Sequence, residues 1–207
     1  FTLYSAGHAE LDVNKHAPKE DMVRNRDRNN SWILGDSGGF QIGKGVWEGD
    51  WKDPNCPKAQ KKREQVLTWM DAYMDYGMIL DIPAWVARSP AGQQATGITS
   101  YIEAVQGTYI NNDWFIRNRN GNCKFLNVLQ GENHADAEDW YQRMKKYSDP
   151  KQYPNEHFNG WSMGGQNMCD VHLVLKRLIS LRYDGLLEKG VQDFMHFLGT
   201  SKLEWAL

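Results

Sequence analysis

The residues best suited to chemistry sit where short apolar runs give way to polar or glycine-bearing turns. The first is Asp36, in Asp36-Ser37-Gly38-Gly39-Phe40-Gln41. A carboxylate followed by two glycines lies beside backbone N–H groups that a ligand can approach closely, because glycine permits tight turning. Phe40 offers a face to a planar ring. A plain strand-to-helix turn makes the same pattern. The second is Asp81, in Ile79-Leu80-Asp81-Ile82-Pro83. A carboxylate ending an apolar run needs partners. It can accept from the N–H edge of a purine, or cap the next segment. The third is Gln130-Gly131, whose amide both donates and accepts and so can read a carbonyl or a ring nitrogen. The fourth is Gly164-Gly165, in Trp161-Ser162-Met163-Gly164-Gly165. Backbone N–H groups there can donate to a carbonyl, and a simple chain reversal uses the same pair.

These positions need elements to hold them. Short apolar runs at Trp32 to Gly35, Met78 to Leu80, Lys124 to Leu129, Gly160 to Met163 and Phe194 to Leu198 read as five strands. Between them run amphipathic segments. Lys61 to Tyr76 carries Val66, Trp69, Met70 and Tyr73 at helical spacing, with Gly77 as its stop. Ala135 to Tyr147 has acidic residues near its start and Lys145-Lys146 near its end, which suits the helix dipole. About Val171 to Leu187 is a third helix, with Gly190 as its stop. Strand-loop-helix alternation argues for parallel βα units in an α/β fold. In a (β/α)8 TIM barrel the strand C-termini form one active-site face. Asp36, Asp81, Gln130, Gly164 and Gly199 would then share a rim. A doubly wound open sheet fits the same alternation.

Five strands are too few to close an eight-stranded barrel. One domain over residues 1–207 is expected, and the alternation alone does not choose between an incomplete TIM barrel and an open sheet. The chain begins at Phe1 and stops at Leu207 within a helical-looking stretch, which points to a fragment.

A formal net charge of −2 excludes a broadly basic protein, so any nucleic-acid contact must come from a local patch. Arg24, Arg26, Arg28 and Lys58 to Arg63 are candidate phosphate contacts; a solvated charged face is the plainer explanation. Nine Trp and nine Tyr are many for 207 residues. They serve either packing or stacking on bases. Cys56, Cys123 and Cys169 lie far apart, without zinc spacing, which suits reduced thiols inside a cell. The six histidines, His8, His16, His134, His157, His172 and His196, form no close pair and read as structural or surface residues. No apolar run is long enough to span a bilayer, and no signal peptide is visible. The expected location is the cytoplasm.

Each chemical signal is weak alone, but their order is specific. Asp36 to Gln41 resembles the signature of the queuine and archaeosine tRNA-guanine transglycosylases. Leu80-Asp81-Ile82-Pro83 is similar to that family's second aspartate motif, in an archaeal-like form. Val128-Leu129-Gln130-Gly131 resembles its Val-Gln-Gly strand end. Trp161 to Gly165 resembles its aromatic-x-x-Gly-Gly turn. Phe197-Leu198-Gly199 resembles its Leu-Met-Gly motif.

The resemblance implies a TIM barrel that exchanges guanine in a polynucleotide for a 7-deazaguanine by double displacement. Asp36 would be catalytic, contacting the base and managing protons. Ser37 would line the site, and Phe40 would sandwich the base. Asp81 would read the guanine-like N1–H and amino group, and Gln130, Gly164 and Gly165 the carbonyl side. Phe197, Leu198 and Gly199 would form the other wall. The family's nucleophilic aspartate and its zinc ligands come after the Leu-Met-Gly motif. No metal or cofactor is thus expected within this chain, and zinc is expected in the part that would follow.

The Trp-Ser-Met-Gly-Gly form and the stretch from Phe197 to Ala206 look more like the DNA-directed relatives of phages and genomic islands. DNA is the favoured substrate and tRNA the alternative. The partners would be guanine or a 7-deazaguanine and the polynucleotide, with no membrane and with a homodimer as an option. Two rival readings remain. One is an O-glycoside hydrolase using Asp36 and Asp81 as its carboxylate pair. The other is a non-catalytic, nucleic-acid-binding relative of the transglycosylases.

Overall fold

The computed structural model describes residues 2–165 and 170–199. Six strands form one sheet: β1 (Thr2–Ser5), β2 (Ile33–Asp36), β3 (Tyr76–Met78), β4 (Lys124–Leu129), β5 (Gly160–Met163) and β6 (Phe194–Phe197). All neighbouring pairs are parallel, and their order in space is their order in sequence. A doubly wound sheet reverses its strand order at a switch point. This sheet has no reversal, so that alternative is excluded over the described strands.

The sheet is also strongly curled. Trp32, just before β2, and Phe194, the first residue of β6, have ring centroids 5.6 Å apart. Four strand spacings in a flat sheet would separate them by roughly 19 Å. Tyr76 of β3 stacks on Phe194 at 4.5 Å, so three aromatics plug the end where the strands begin. The result is an α/β half-barrel of six parallel strands.

Strand alternation sorts side chains into an inner and a helix-facing set. Seven helices accompany the strands: α1 (Asp21–Arg24), α2 (Gly39–Gly43), α3 (Pro57–Tyr73), α4 (Pro90–Thr96), α5 (Tyr101–Asn118), α6 (His134–Met144) and α7 (Val171–Tyr183). Tyr4 meets Trp69 of α3 at 6.1 Å, and Phe125 meets Phe115 of α5 at 5.0 Å. Trp161 meets Tyr141 of α6 at 6.1 Å. Gly35 and Gly77 admit Met70 of α3 and Met74 just after it, since a Cβ on Gly35 would lie 2.7 Å from Met74 Cγ and one on Gly77 2.9 Å from Met70 Sδ. Trp51, Trp69, Trp140 and Trp161 are fully buried. Four of the nine tryptophans therefore serve the core. Burying such a ring contributes roughly 2–3 kcal/mol, and the indole donors of Trp140 and Trp161 are satisfied by Val128 O at 2.9 Å and Leu186 O at 2.7 Å.

The structure corrects several expectations. Among the described residues there are six strands, not five; β1 is short and polar enough to escape notice. The helix expected over 61–76 is α3, which begins at Pro57 and ends at Tyr73, where Met74 turns extended. Gly77 is not its stop but a residue of β3, chosen for closeness to Met70. The helix expected to run to Leu187 ends at Tyr183, and Gly185, at φ +68°, turns the chain rather than Gly190 alone. The stretch after Pro83 holds α5, the longest helix. Cys169 and the stretch Thr200 to Ala206 lie outside the described residues.

Candidate functional site

Because every strand is parallel, all strand C-termini open on one rim. Asp36 ends β2, and β1 holds it there. Ser5, its partner in register, donates Oγ to Asp36 Oδ2 at 2.7 Å. Gly38 N donates to Asp36 Oδ1 at 3.3 Å, with Gly38 in the left-handed region at φ +86°. The carboxylate is half-buried, and Ser37 beside it is buried. Ser5 is a partner that sequence reasoning missed.

Asp81 lies three residues past β3 and is 6% exposed. Gln130, at the end of β4, donates Nε2 to Asp81 Oδ2 at 2.7 Å. Burial pushes the Asp81 carboxyl up to about 7; Gln130 pulls it down and the nearby Asp36 carboxylate raises it further. The loop is held from behind by α5. Asn111 donates to Leu80 O at 2.6 Å, and Thr108 Oγ1 accepts from Ile82 N at 2.9 Å. Buried Arg63 steadies Asn111 by donating Nε to Asn111 Oδ1 at 2.6 Å. Burial lowers its guanidinium to about 10.

Glycines let these pieces close on each other. A Cβ on Gly39 would lie 2.8 Å from Asp81 O and 3.2 Å from Asp81 Oδ1. Gly165, at φ +56°, has no room for a Cβ, which would lie 2.5 Å from Gly131 O and 3.0 Å from Gln130 Oε1. A Cβ on Gly164 would meet Gln130 Nε2 at 3.1 Å and Leu198 Cδ1 at 3.2 Å. Asp36, Gly39, Asp81, Gln130, Gly164, Gly165 and Leu198 are thus gathered on one rim, and Gly199 follows Leu198 in a turn at φ +69°.

Two expected residues stand differently. Phe40 is 57% exposed and packs against Trp85, ring centroids 5.8 Å apart, outside the cluster around Asp81. Phe197 pairs in register with Met163, and alternation puts it on the helix-facing side of β6. The neighbouring His196 and Leu198 face inward. His196 pairs in register with Ser162. Burial lowers the His196 imidazole, with Asp36 acting against that shift. His196 was read as structural; the alternation within β6 was the signal that could have found it. Ser162 Oγ and Gln41 Oε1 are buried without a hydrogen-bond partner among the described residues.

The arginines proposed for phosphate serve structure instead. Arg24 binds Glu20 at 2.8 Å and Glu10 O at 2.6 Å. Arg26 is tied to Asp75, Val23 O and Tyr73 O. Arg28 donates to Ala72 O at 2.7 Å. Asp75 also accepts from Ile33 N at 2.7 Å, which places this network where the strands begin, away from the rim.

Among the described residues no group of three or more His, Cys, Asp or Glu could hold a metal ion. Cys56 and Cys123 are free thiols. No described helix is long and apolar enough to cross a membrane. Comparison with family models, with curated proteins and with solved structures finds no match for the chain.

The rim offers a buried carboxyl that accepts hydrogen bonds and an amide that donates or accepts. Glycines beside them let the strand-end loops close on one another, and a second carboxylate lies within electrostatic reach. That set is complementary to a flat heterocycle with an N–H edge and a carbonyl edge.

Proposed function

We propose that this chain carries the base-recognition side of a guanine-exchanging transglycosylase, which replaces a guanine in DNA with a 7-deazaguanine. The observation that carries the reading is the buried Asp81 carboxyl held by Gln130 at adjoining strand ends, with Asp36 beside it. The half-barrel would be six strands of an eight-stranded TIM barrel. The ordered likeness of five motifs to the transglycosylase signatures supports the same reading.

In this account ionised Asp81 accepts from guanine N1–H and the 2-amino group. The base displaces water and shares the Gln130 amide, whose Oε1 and Nε2 suit the carbonyl side. The resemblance adds the backbone of Gly164 and Gly165 beside that edge; Gly164 N itself donates to Leu129 O at 2.9 Å. Asp36, fixed by Ser5 and Gly38, holds or moves a proton on the departing or arriving base. The target base must leave its stack to enter the rim, because the edge read by Asp81 is the edge used in pairing. The sugar-attacking aspartate and the zinc ligands that the resemblance implies lie after Gly199 in the family's motif order. The described residues supply recognition and proton handling.

The test is exchange of labelled guanine by the full-length protein into duplex DNA, single-stranded DNA and tRNA, alongside Asp36→Ala and Asp81→Ala. Exchange into DNA, lost in both variants, is the expected result. Exchange into tRNA alone would keep the chemistry and reverse the substrate. A second reading rests on the same carboxyl. An acid pushed up to about 7 beside another carboxylate also suits the proton donor of a glycosidase pair. That reading gives the Gln130 amide and the crowded glycines no task. Hydrolysis of aryl glycosides without base exchange would promote it.

A further inference from the structure

We infer that the face formed by α2, the loop after it and the first turns of α3 is a track for a DNA strand, which it leads to Asp36. The inference rests on the transglycosylase reading for the fate of that strand, and on the surface itself for its binding.

The face begins four residues from Asp36. Phe40 and Val46 are 57% and 67% exposed. Trp85 and Trp47 are half-buried, seated over Gly43 and Gly38 respectively, where any Cβ would collide with the indole rings. Phe40 and Trp85 thereby form a fixed pair of aromatic faces, 5.8 Å between centroids. Lysines stand over these rings. Lys44 Nζ is 5.3 Å from the Phe40 ring and 5.7 Å from Trp85, and Lys62 Nζ is 4.9 Å from Trp47.

A hollow of about 700 Å³ runs from Lys44 to Glu48 and Lys58. A second, of about 460 Å³, continues past the same two residues to Trp47, Lys61 and Lys62. The trough's acids are occupied: Glu48 binds Lys58 at 2.8 Å, and Asp50 lies 3.5 Å from Lys52. Lys44, Lys61 and Lys62 form no ion pair among the described residues, which leaves their charge for a partner.

Ammonium groups alternating with aromatic faces along a groove match a single strand, whose phosphates and base faces alternate in the same way. The chain carries a net charge of −2, so this attraction is local rather than general. These groups grip phosphates and base faces, and the transglycosylase reading makes the strand DNA.

The test uses the full-length protein, a fluorescein-labelled single-stranded oligodeoxynucleotide containing guanine, and anisotropy at several salt concentrations. The variant is Lys44→Gln, Lys61→Gln, Lys62→Gln. The expected result is about tenfold weaker binding and a salt dependence shallower by about 2, since each lysine accounts for roughly 0.7 of the slope on a single strand. Guanine binding by calorimetry should stay as in the parent. A control that removes equal charge elsewhere, Lys19→Gln, Lys151→Gln, Lys189→Gln, should bind DNA like the parent. Unchanged DNA binding in the first variant, equal weakening in the control, or tighter binding of the matching RNA through the same lysines would overturn the inference. If the parent binds no guanine but its DNA binding still depends on these lysines, the proposed function fails and the track stands.

Discussion

Gln130 donates its side-chain amide to the carboxyl of Asp81 at 2.7 Å, joining the rim ends of β4 and β3 in a nearly closed environment. Burial is the largest influence on that carboxyl and pushes it up to about 7 from the ordinary carboxylate range. The Asp81 carboxyl is therefore costly to keep ionised, and that cost is the clue to its use.

Asp81→Asn should make the protein more stable near neutral pH and abolish guanine binding. A carboxyl whose folded value is raised binds its proton more tightly in the folded state. Its folding penalty is absent below about 4 and grows as pH rises through about 7. The shift corresponds to about 4 kcal/mol at most, at 1.36 kcal/mol per unit. Urea denaturation of parent and variant at pH 4.5, 6 and 8 checks this: the stability gap should widen with pH. A gap independent of pH would place the penalty elsewhere.

Guanine affinity of the parent should rise as pH increases through about 7, because only the ionised Asp81 accepts from both N1–H and the amino group. Gln130→Ala removes the group that pulls this carboxyl down. The midpoint of the calorimetric pH profile should move upward, with affinity at pH 7 falling about 10- to 100-fold for a lost hydrogen bond to a charged group. A Gln130→Ala profile that overlays the parent's would show that the amide does not act on Asp81.

Asn111→Leu should destabilise the fold by about 2–4 kcal/mol, since it leaves Leu80 O and the Arg63 guanidinium without their partner. Equilibrium unfolding in urea measures it. A loss below about 0.5 kcal/mol would mean that α5 does not hold the Asp81 loop through this bond.

Ser5→Ala should cost only about 1 kcal/mol in stability, the worth of one part-buried hydrogen bond. It frees Asp36 Oδ2, so single-turnover exchange should slow with little change in guanine affinity. Equal rates in parent and variant would remove Ser5 from the positioning of Asp36.

Much of this arrangement was legible in the sequence. Asp36, Asp81, Gln130 and the Gly164-Gly165 pair each closed an apolar run, and parallel pairing alone brings such ends to one rim. Two things were hidden for physical reasons. β1, in Thr2-Leu3-Tyr4-Ser5, is an edge strand whose side chains are exposed or half-buried, so it lacks the apolar run that marks β4 and β5. Helix α5 was hidden by its work. Thr108 and Asn111 are polar residues on its buried face because they hold the backbone on either side of Asp81, and Gly107 lets Trp51 and Ile82 come close. A hydrophobic period cannot show a face made polar for that purpose. Its start was readable: Ser100 Oγ accepts from Glu103 N at 3.3 Å, and Glu103 accepts from Thr99 N at 2.7 Å, in a capping-box sequence. His196 was passed over because a lone histidine in an apolar run says nothing until β6 has a register.

The most direct measurement is exchange of labelled guanine into DNA by the full-length protein, compared with Asp81→Asn. Incorporation by the parent and none by the variant is the expected result, although the variant is folded and at least as stable. Incorporation by Asp81→Asn at the parent's rate would contradict the assignment of this buried carboxyl as the reader of the base.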